Sequence, residues 1–522
     1  MNNNDMIFTR KASGLVKGLS WLDVFMIVIS APAGSGILYY SVSTASTYPG
    51  GNVWLSFLLG MLIILPVIFV AAISSTMIPR SGSLYVFISR VINPGVGFIT
   101  AVLFFLGYTL SIGVVAFVIT QVIGGILVNS GMAGKMELVK NIGQALQNPY
   151  WAAVGGTILV LLTWLLVLQG IKAFRNVMRI LFVITILASL ITVIYFFVAG
   201  QATSSELFNR VWVENAYQKI MQLASDKGWA PPAFSWSSTF SLLLVVLFSY
   251  GGLELISYAS GEVSQEKRKI MKGYIWAWLI LAFIYIIIAF SVTFAFGKFI
   301  GAYDFVFRNH QEALKTIMPA ISPSIPFYIS SIIPNTWIGI IISLSLSFWL
   351  VNTMVPYFFA PSRLIFALAM DRAIPESMAD VNSKGAPTKA SHITLLFALL
   401  GVVFNLLNVG TVLGTILFCA LFVYWLYGLS AILLPYKKPD LYDKCPIQKT
   451  IFNIPVVSIV GALTFGIGWF VIFLSAKQMS MDIMITLSVL IAIVMVLYIL
   501  KLQKNKNENI NIDQIYNQLP PE

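Results

Sequence analysis

The sequence predicts an all-α polytopic membrane protein of twelve transmembrane helices, ten of them forming a five-plus-five inverted repeat, with spans 1 and 6 discontinuous. Composition is the first ground: of 522 residues, 58% are hydrophobic and only 10% charged, too few to clothe a water-facing surface. The second is spacing, because twelve apolar runs are each long enough to cross about 30 Å of hydrocarbon. The third is that the first and sixth runs are both interrupted by glycine near mid-span.

The predicted spans lie near residues 21 to 43, 53 to 77, 97 to 128, 151 to 169, 178 to 199, 236 to 260, 273 to 297, 335 to 361, 391 to 408, 411 to 435, 455 to 475 and 482 to 502. Span 1 carries Ser30-Ala31-Pro32-Ala33-Gly34-Ser35-Gly36-Ile37 at its centre. Proline lacks an N–H and displaces a carbonyl, and in hydrocarbon no water takes the place of the lost bonds. Two arrangements answer that need: a broken helix whose bare N–H groups and dipole face a bound anionic group, or a close helix crossing through small residues. Span 6 repeats the interruption at Phe248-Ser249-Tyr250-Gly251-Gly252-Leu253-Glu254. Paired breaks in corresponding halves point to a solute site at the membrane midplane.

A broken helix, a long helix, a loop and three further spans occur in 20–199 and again in 236–435. Five is odd, so the second unit enters the bilayer upside down. Spans 11 and 12, within 455–502, fall outside the repeat and read as peripheral. Residues 1–19 form an N-terminal segment with no cleavable leader. The tail, 503–522, is rich in Asn and charge from Asn505 onward and reads as disordered.

Of the 32 Lys and Arg residues, 23 fall on the side of the two termini and 9 on the other. That bias puts both termini in the cytoplasm of a multi-pass cell-membrane protein. The net charge of +12 is therefore topological and implies no nucleic-acid partner. On the cytoplasmic side, Val86 to Ile92 is too short to span and reads as a helix in the interface plane. A second short capped helix and turn is expected after Pro361-Ser362-Arg363, and the loops 200–235 and 298–334 read as surface caps.

Two cysteines, Cys419 and Cys445, make no metal, redox or disulfide framework. No paired acids, His cluster or nucleophile–base set lies at membrane depth, which argues against an enzyme. No phosphate-binding loop of the Gly-Lys-Ser/Thr type is present, so no step is driven by ATP from this chain.

Of 20 acidic residues, Glu254 is the one placed deep in a span, where a carboxylate is expensive unless paired or protonated. Three roles fit it: carrier of a coupling proton, counter-ion to a cationic substrate group, or a brace between span 6 and its neighbours. Span 8 carries Ser343, Ser345, Ser347, Asn352, Thr353 and Tyr357, whose oxygens either help hold a sodium ion beside span 1 or bond back to their own helix. Thr353 and Tyr357, four apart, share a face. Phe248, ahead of the span 6 break, and Tyr108, in span 3, are candidates to close over a ligand.

These motifs together resemble the amino acid-polyamine-organocation permeases over roughly residues 9 to 475. The likeness is carried by Gly34-Ser35-Gly36-Ile37, Pro79-Arg80-Ser81-Gly82-Ser83-Leu84-Tyr85, Gly170-Ile171-Lys172, Phe248 to Glu254, and Ser362-Arg363 through Pro375 to Pro387. The resemblance implies an amino acid permease working by alternating access, with an amino acid as substrate and no cofactor beyond a coupling proton or sodium ion. It also implies that backbone N–H groups of Ser35, Gly36 and Ile37 receive the substrate carboxylate, and that carbonyls near Ala31, Phe248 and Gly251 take its amino group. Gly34 and Gly252 belong to the same two breaks. Phe248 matches the family's aromatic gate, Thr353 and Tyr357 face the site, and Glu254 matches a carboxylate of many members. One departure concerns coupling: where many proton-coupled members place a lysine in span 5, this chain has Phe182, and the nearest cation is Arg179. Proton symport, sodium symport and exchange all stay open. With Glu254 as the one acidic residue in a span, a zwitterion with a neutral or apolar side chain fits better than a polyamine.

Overall fold

The computed structural model describes residues 8–10, 12–264, 267–478, 480–508 and 510–521. Ser20 opens the first helix, α1 (Trp21–Ser35), with a capping box: its side chain accepts the Asp23 N–H, and the Asp23 carboxylate accepts the Ser20 N–H at 2.7 Å. The chain then passes without unwinding into one π-helical turn, Gly36–Tyr40. The interruption expected in span 1 is thus a change of helix type rather than a gap. Next come α2 (Val53–Met77), α3 (Ser83–Val91), α4 (Pro94–Ala133), α5 (Glu137–Gln147), α6 (Pro149–Leu168) and α7 (Ile171–Val211). Gly200, at φ 58°, bends α7 where it leaves the membrane-length stretch.

After α8 (Ala216–Asp226), span 6 is broken as its glycines suggest. It consists of α9 (Trp236–Ser241) and α10 (Leu243–Ser249), an irregular stretch Tyr250–Glu254, and two short turns, Leu255–Tyr258 and Ser260–Glu262. Gly252 holds φ at +105°, a conformation that other L-residues rarely adopt. Then follow α11 (Lys267–Phe296), α12 (Phe299–Asn309), α13 (Gln311–Lys315), α14 (Ile325–Ser330) and α15 (Thr336–Met370). α15 runs through Pro356 and Pro361 as one 35-residue helix. The chain ends with α16 (Thr388–Leu406), α17 (Gly410–Lys437), α18 (Pro439–Tyr442), a hairpin of β1 (Thr450–Ile451) and β2 (Ile454–Pro455), α19 (Val456–Gln478), α20 (Met481–Asn507) and α21 (Ile512–Tyr516).

Among the described residues ten helices are long and apolar enough to cross a bilayer, and Trp236–Ser249 forms a shorter apolar stretch. The fold is a helical, multi-pass membrane protein. α4 stands at its centre, packed against α5, α6, α15, α16 and α17, while α1 lies between α11 and α15. With 40 residues α4 is about 60 Å long, roughly twice the hydrocarbon thickness. α20 turns Ile485, Val489, Leu497 and Leu500 outward, each at least half exposed, a surface suited to lipid. The first and last described segments lie at one end: Thr9 donates to the Ala369 carbonyl, in the last turn of α15, and Asn505 to the Arg372 carbonyl just beyond it.

Three expectations need correction. α3 is not exposed as a surface helix would be; all nine of its residues are buried, packed against α2, α4, α17 and the turns that end span 6. The segment 298–334 is no surface cap, since Phe299, Tyr303, Asp304 and Tyr328 are fully buried. The tail is ordered against the terminal end of the bundle. Its Tyr516 hydroxyl meets that of Tyr85 at 3.2 Å, and the Arg80 Nε donates to the Pro520 carbonyl at 2.6 Å.

Candidate functional site

A hollow of about 850 Å³ opens between α1, α4, α10, α12 and α15, from mid-bundle toward the end opposite the termini. Four predicted residues line its inner part: Ser35, Phe248, Thr353 and Tyr357. The wall beyond them is apolar along α4, where Val114, Val115, Val118 and Val122 recur at helical spacing, and carries amides at Gln121, Gln147 and Gln311.

The remaining predicted residues sit behind that wall. Ala31 and Ile37 are fully buried, and Gly34, Gly36, Gly251, Gly252 and Tyr108 do not line the hollow. The small residues of α1 allow close packing: a Cβ on Gly34 would stand 2.7 Å from Thr353 Oγ1, and one on Gly36 2.6 Å from the Tyr285 ring. Close crossing and a weakened backbone ladder, posed as alternatives by the sequence, are combined here. The Gly34 N–H donates to Thr353 Oγ1 at 3.0 Å, and the one hydrogen of that hydroxyl lies within reach of both the Trp349 carbonyl of its own helix, at 3.1 Å, and the Ser30 carbonyl, at 3.2 Å. Thr353 is therefore inserted into the i to i−4 ladder of α1. The Tyr285 hydroxyl reaches the carbonyls of Pro32 at 3.0 Å and Ser249 at 2.6 Å, tying both interrupted helices to α11. In this conformation the Gly36 N–H bonds to the Ala33 carbonyl.

Glu254 is buried outside the hollow and accepts three hydrogen bonds, from Tyr108 Oη at 2.5 Å, the Gly252 N–H at 3.2 Å and Tyr424 Oη at 3.4 Å. The carboxylate thereby caps its own irregular turn and fastens it to α4 and α17. The Tyr108 ring meets Tyr357 edge-on at 4.9 Å, linking that network to the hollow's wall. Asn352 donates to Thr185, and Ser347 bonds back to the Ser343 carbonyl within α15. Among the described residues no cluster of His, Cys, Asp and Glu suits a metal ion.

The terminal end is closed. The Gly18 and Leu19 N–H groups bond to the Glu262 carbonyl, and the Glu262 carboxylate takes the Arg363 Nε–H at 2.9 Å with both side chains fully buried. Asp23 holds Arg179 through two bonds of 2.6 and 2.9 Å. Arg90 forks onto both oxygens of Asp371. Burial works against the Arg90 cation, but Asp371 beside it prevails and holds its pKa above the usual guanidinium value.

Sequence reasoning missed several participants. Tyr285 and Tyr424 lie in ordinary apolar runs, and a tyrosine hydroxyl bonded to a distant break leaves no local pattern. Asp23, Asp304, Glu262 and Asp371 are buried too, so Glu254 is one of several interior carboxylates; each of the others sits at a helix end or in a loop segment that folds inward.

A helical bundle enclosing a hollow that reaches mid-membrane beside a broken helix has the layout of a membrane transporter. The chain belongs to the amino acid permease family, whose model, described as "Amino acid permease", matches residues 19–499. It is a transporter rather than an enzyme. It is 23% identical over 486 residues to the branched-chain amino acid permease BcaP of Bacillus subtilis (strain 168), covering 88% of this chain and 90% of that protein. It is 22% identical to the methylthioribose transporter of the same organism, over 88% of this chain and 89% of that protein. The γ-aminobutyric acid permease of that strain is 24% identical over 77% of this chain and 75% of its own length.

Proposed function

We propose that the protein moves a zwitterionic amino acid with a neutral or apolar side chain across the cell membrane by alternating access, coupled to a proton. The observation that carries this reading is the wall of the hollow: no acidic residue is part of it among the described residues, its α4 face is mostly aliphatic, and its inner end lies between Ser35 of the first interrupted helix and Phe248 of the second. A polyamine would need carboxylates there. Two of the relatives are named for amino acids, one branched-chain and one γ-amino.

In this reading the carboxylate binds where α1 changes helix type. The N–H groups of Ser35, Gly36 and Ile37 reach it once the turn loosens, and carbonyls near Ala31, Phe248 and Gly251 take the amino group. Phe248 and Tyr357 close over the solute. The units 20–199 and 236–435 act as an inverted pair, 455–502 packs outside them, and the excess of Lys and Arg puts both termini in the cytoplasm. Glu254 is the coupling candidate. It does not touch the hollow, so protonation acts by releasing the turn it caps and the Tyr108–Tyr357 contact.

Thermal-shift screening of the purified protein against amino acids, their amides and their decarboxylated amines tests the site. Binding that needs both the free carboxylate and the free amino group is expected; amines binding as well as their parents overturn the site. Uptake into proteoliposomes with and without sodium and with an imposed pH gradient tests coupling, and an unchanged pH dependence in Glu254→Gln removes that residue's role.

A further inference from the structure

Among the described residues the wall of the hollow contains one formally charged side chain, and neither the sequence motifs nor the family assignment gives it a task. Arg308, at the end of α12, lines the outer part with its side chain 45% exposed. Its Nε–H donates to Asp304 Oδ1 at 2.9 Å, and an Nη2–H is given to the Ser43 carbonyl, on the segment that follows the π turn. Asp304 is fully buried. It also receives the Ser46 N–H at 2.9 Å and the Ser46 hydroxyl at 2.5 Å, and it is not part of the hollow's surface. The carboxylate therefore stands behind the wall and fixes the guanidinium, so that the pair presents its positive end to the hollow. Among the described residues Nη1 forms no hydrogen bond, which leaves a donor edge free for a planar anionic group.

We infer that Arg308 is a charge filter at the outer wall of the hollow, admitting neutral and carboxylate-rich amino acids and turning away cationic ones. The inference rests on the reading of the hollow as the substrate route and adds the residue that sets its charge preference. The pair is neutral overall, so it acts on a passing solute through its exposed positive end at close range, with the Asp304 carboxylate shielded behind it, and salt weakens that action. A zwitterion, neutral overall, passes; an arginine-like or diamine solute meets the guanidinium face with no acidic side chain among the described lining residues to draw it on.

The test uses isosteric pairs as competitors of amino acid uptake into proteoliposomes: arginine against citrulline, and glutamate against glutamine. Wild type is expected to be inhibited about tenfold better by citrulline than by arginine at low ionic strength, with the gap shrinking as salt is raised. Arg308→Gln closes the gap at low salt, Arg308→Lys keeps it, and Arg308→Glu reverses it. Equal ratios in wild type and Arg308→Gln overturn the filter. Should Arg308→Gln fail to fold, wild type alone decides: a citrulline preference absent, or insensitive to salt, overturns it equally. Wild type taking up no amino acid overturns the underlying substrate reading as well, whereas uptake that ignores charge overturns the filter alone.

Discussion

At the terminal end of the bundle Arg363 and Arg90 lie sealed against Glu262 and Asp371, while the opposite end holds a hollow of about 850 Å³ with one cation among the described residues of its wall. The difference lies in what each end must break in order to move. Opening the terminal end separates buried ion pairs and peels away two chain termini. Closing the far end brings aliphatic and aromatic faces together and buries amides. In a low-dielectric interior the first step carries a large penalty unless the charges stay paired or reach water. The conformation seen here, open away from the termini, is the one that keeps those pairs closed.

The largest effect should come from breaking one member of the deepest pair. Arg363→Met leaves Glu262 buried without its partner and should lower stability by about 3–5 kcal/mol. The double variant with Glu262→Met should recover most of this, because two apolar groups of similar size satisfy one another. Thermal melting of the purified variants reads both. A single variant melting with wild type would mean that the terminal end is not held by charge, and the contrast between the two ends would fail.

A smaller effect is expected at the seam between α1 and α15. Thr353→Val keeps the shape but removes the hydroxyl that accepts the Gly34 N–H and reaches the Ser30 and Trp349 carbonyls. The buried Gly34 N–H then loses its acceptor, at a cost of about 1–3 kcal/mol. Thr353→Ser should restore it. Melting temperature and uptake should fall together in the valine variant. Loss of uptake at unchanged stability would instead make the hydroxyl a substrate ligand.

How much of this was legible in the sequence follows from the range of the interactions. Hydrophobic runs fixed the spans, since a helix in lipid satisfies its own backbone and needs no distant partner. α2 begins and ends where the apolar run does, at Val53 and Met77. The break at Gly251-Gly252 was legible for the same reason, because φ at Gly252 is a local property. The continuous course of α1 was not: its backbone ladder takes in the hydroxyl of Thr353, 319 residues from Gly34. Arg308 and Asp304 were read as loop charges because nothing near them in the chain says that α12 folds inward. The tail misled for a related reason. Its composition is that of a disordered segment, and its order comes from Arg80, Tyr85 and Arg90, far upstream.

That tail supplies the gentlest test of the terminal seal. Ile515 and Tyr516 are buried, the Arg90 guanidinium lies 4.7 Å from the Tyr516 ring centre, and Arg90 and Arg80 donate to the Gln518 and Pro520 carbonyls. Pro520 and Pro521 wall a small crevice that also touches Ser81 and Gly261, between the end of α2 and the turns after span 6. Tyr516→Ala removes the ring and its hydroxyl contact, a loss of about 1–2 kcal/mol for this contact, spread between cation–π attraction and burial. In a background lacking Cys419 and Cys445, a cysteine at Ser81 should react faster with a thiol reagent in the Tyr516→Ala variant, and faster still after truncation beyond Glu508. Amino acid binding in the far hollow should shift melting as in wild type, because the crevice and the hollow share no lining residue. Labelling at the wild-type rate in the truncated protein would show that the tail lies on a door already shut by Glu262 and Arg363, and would confine the seal to the ion pairs.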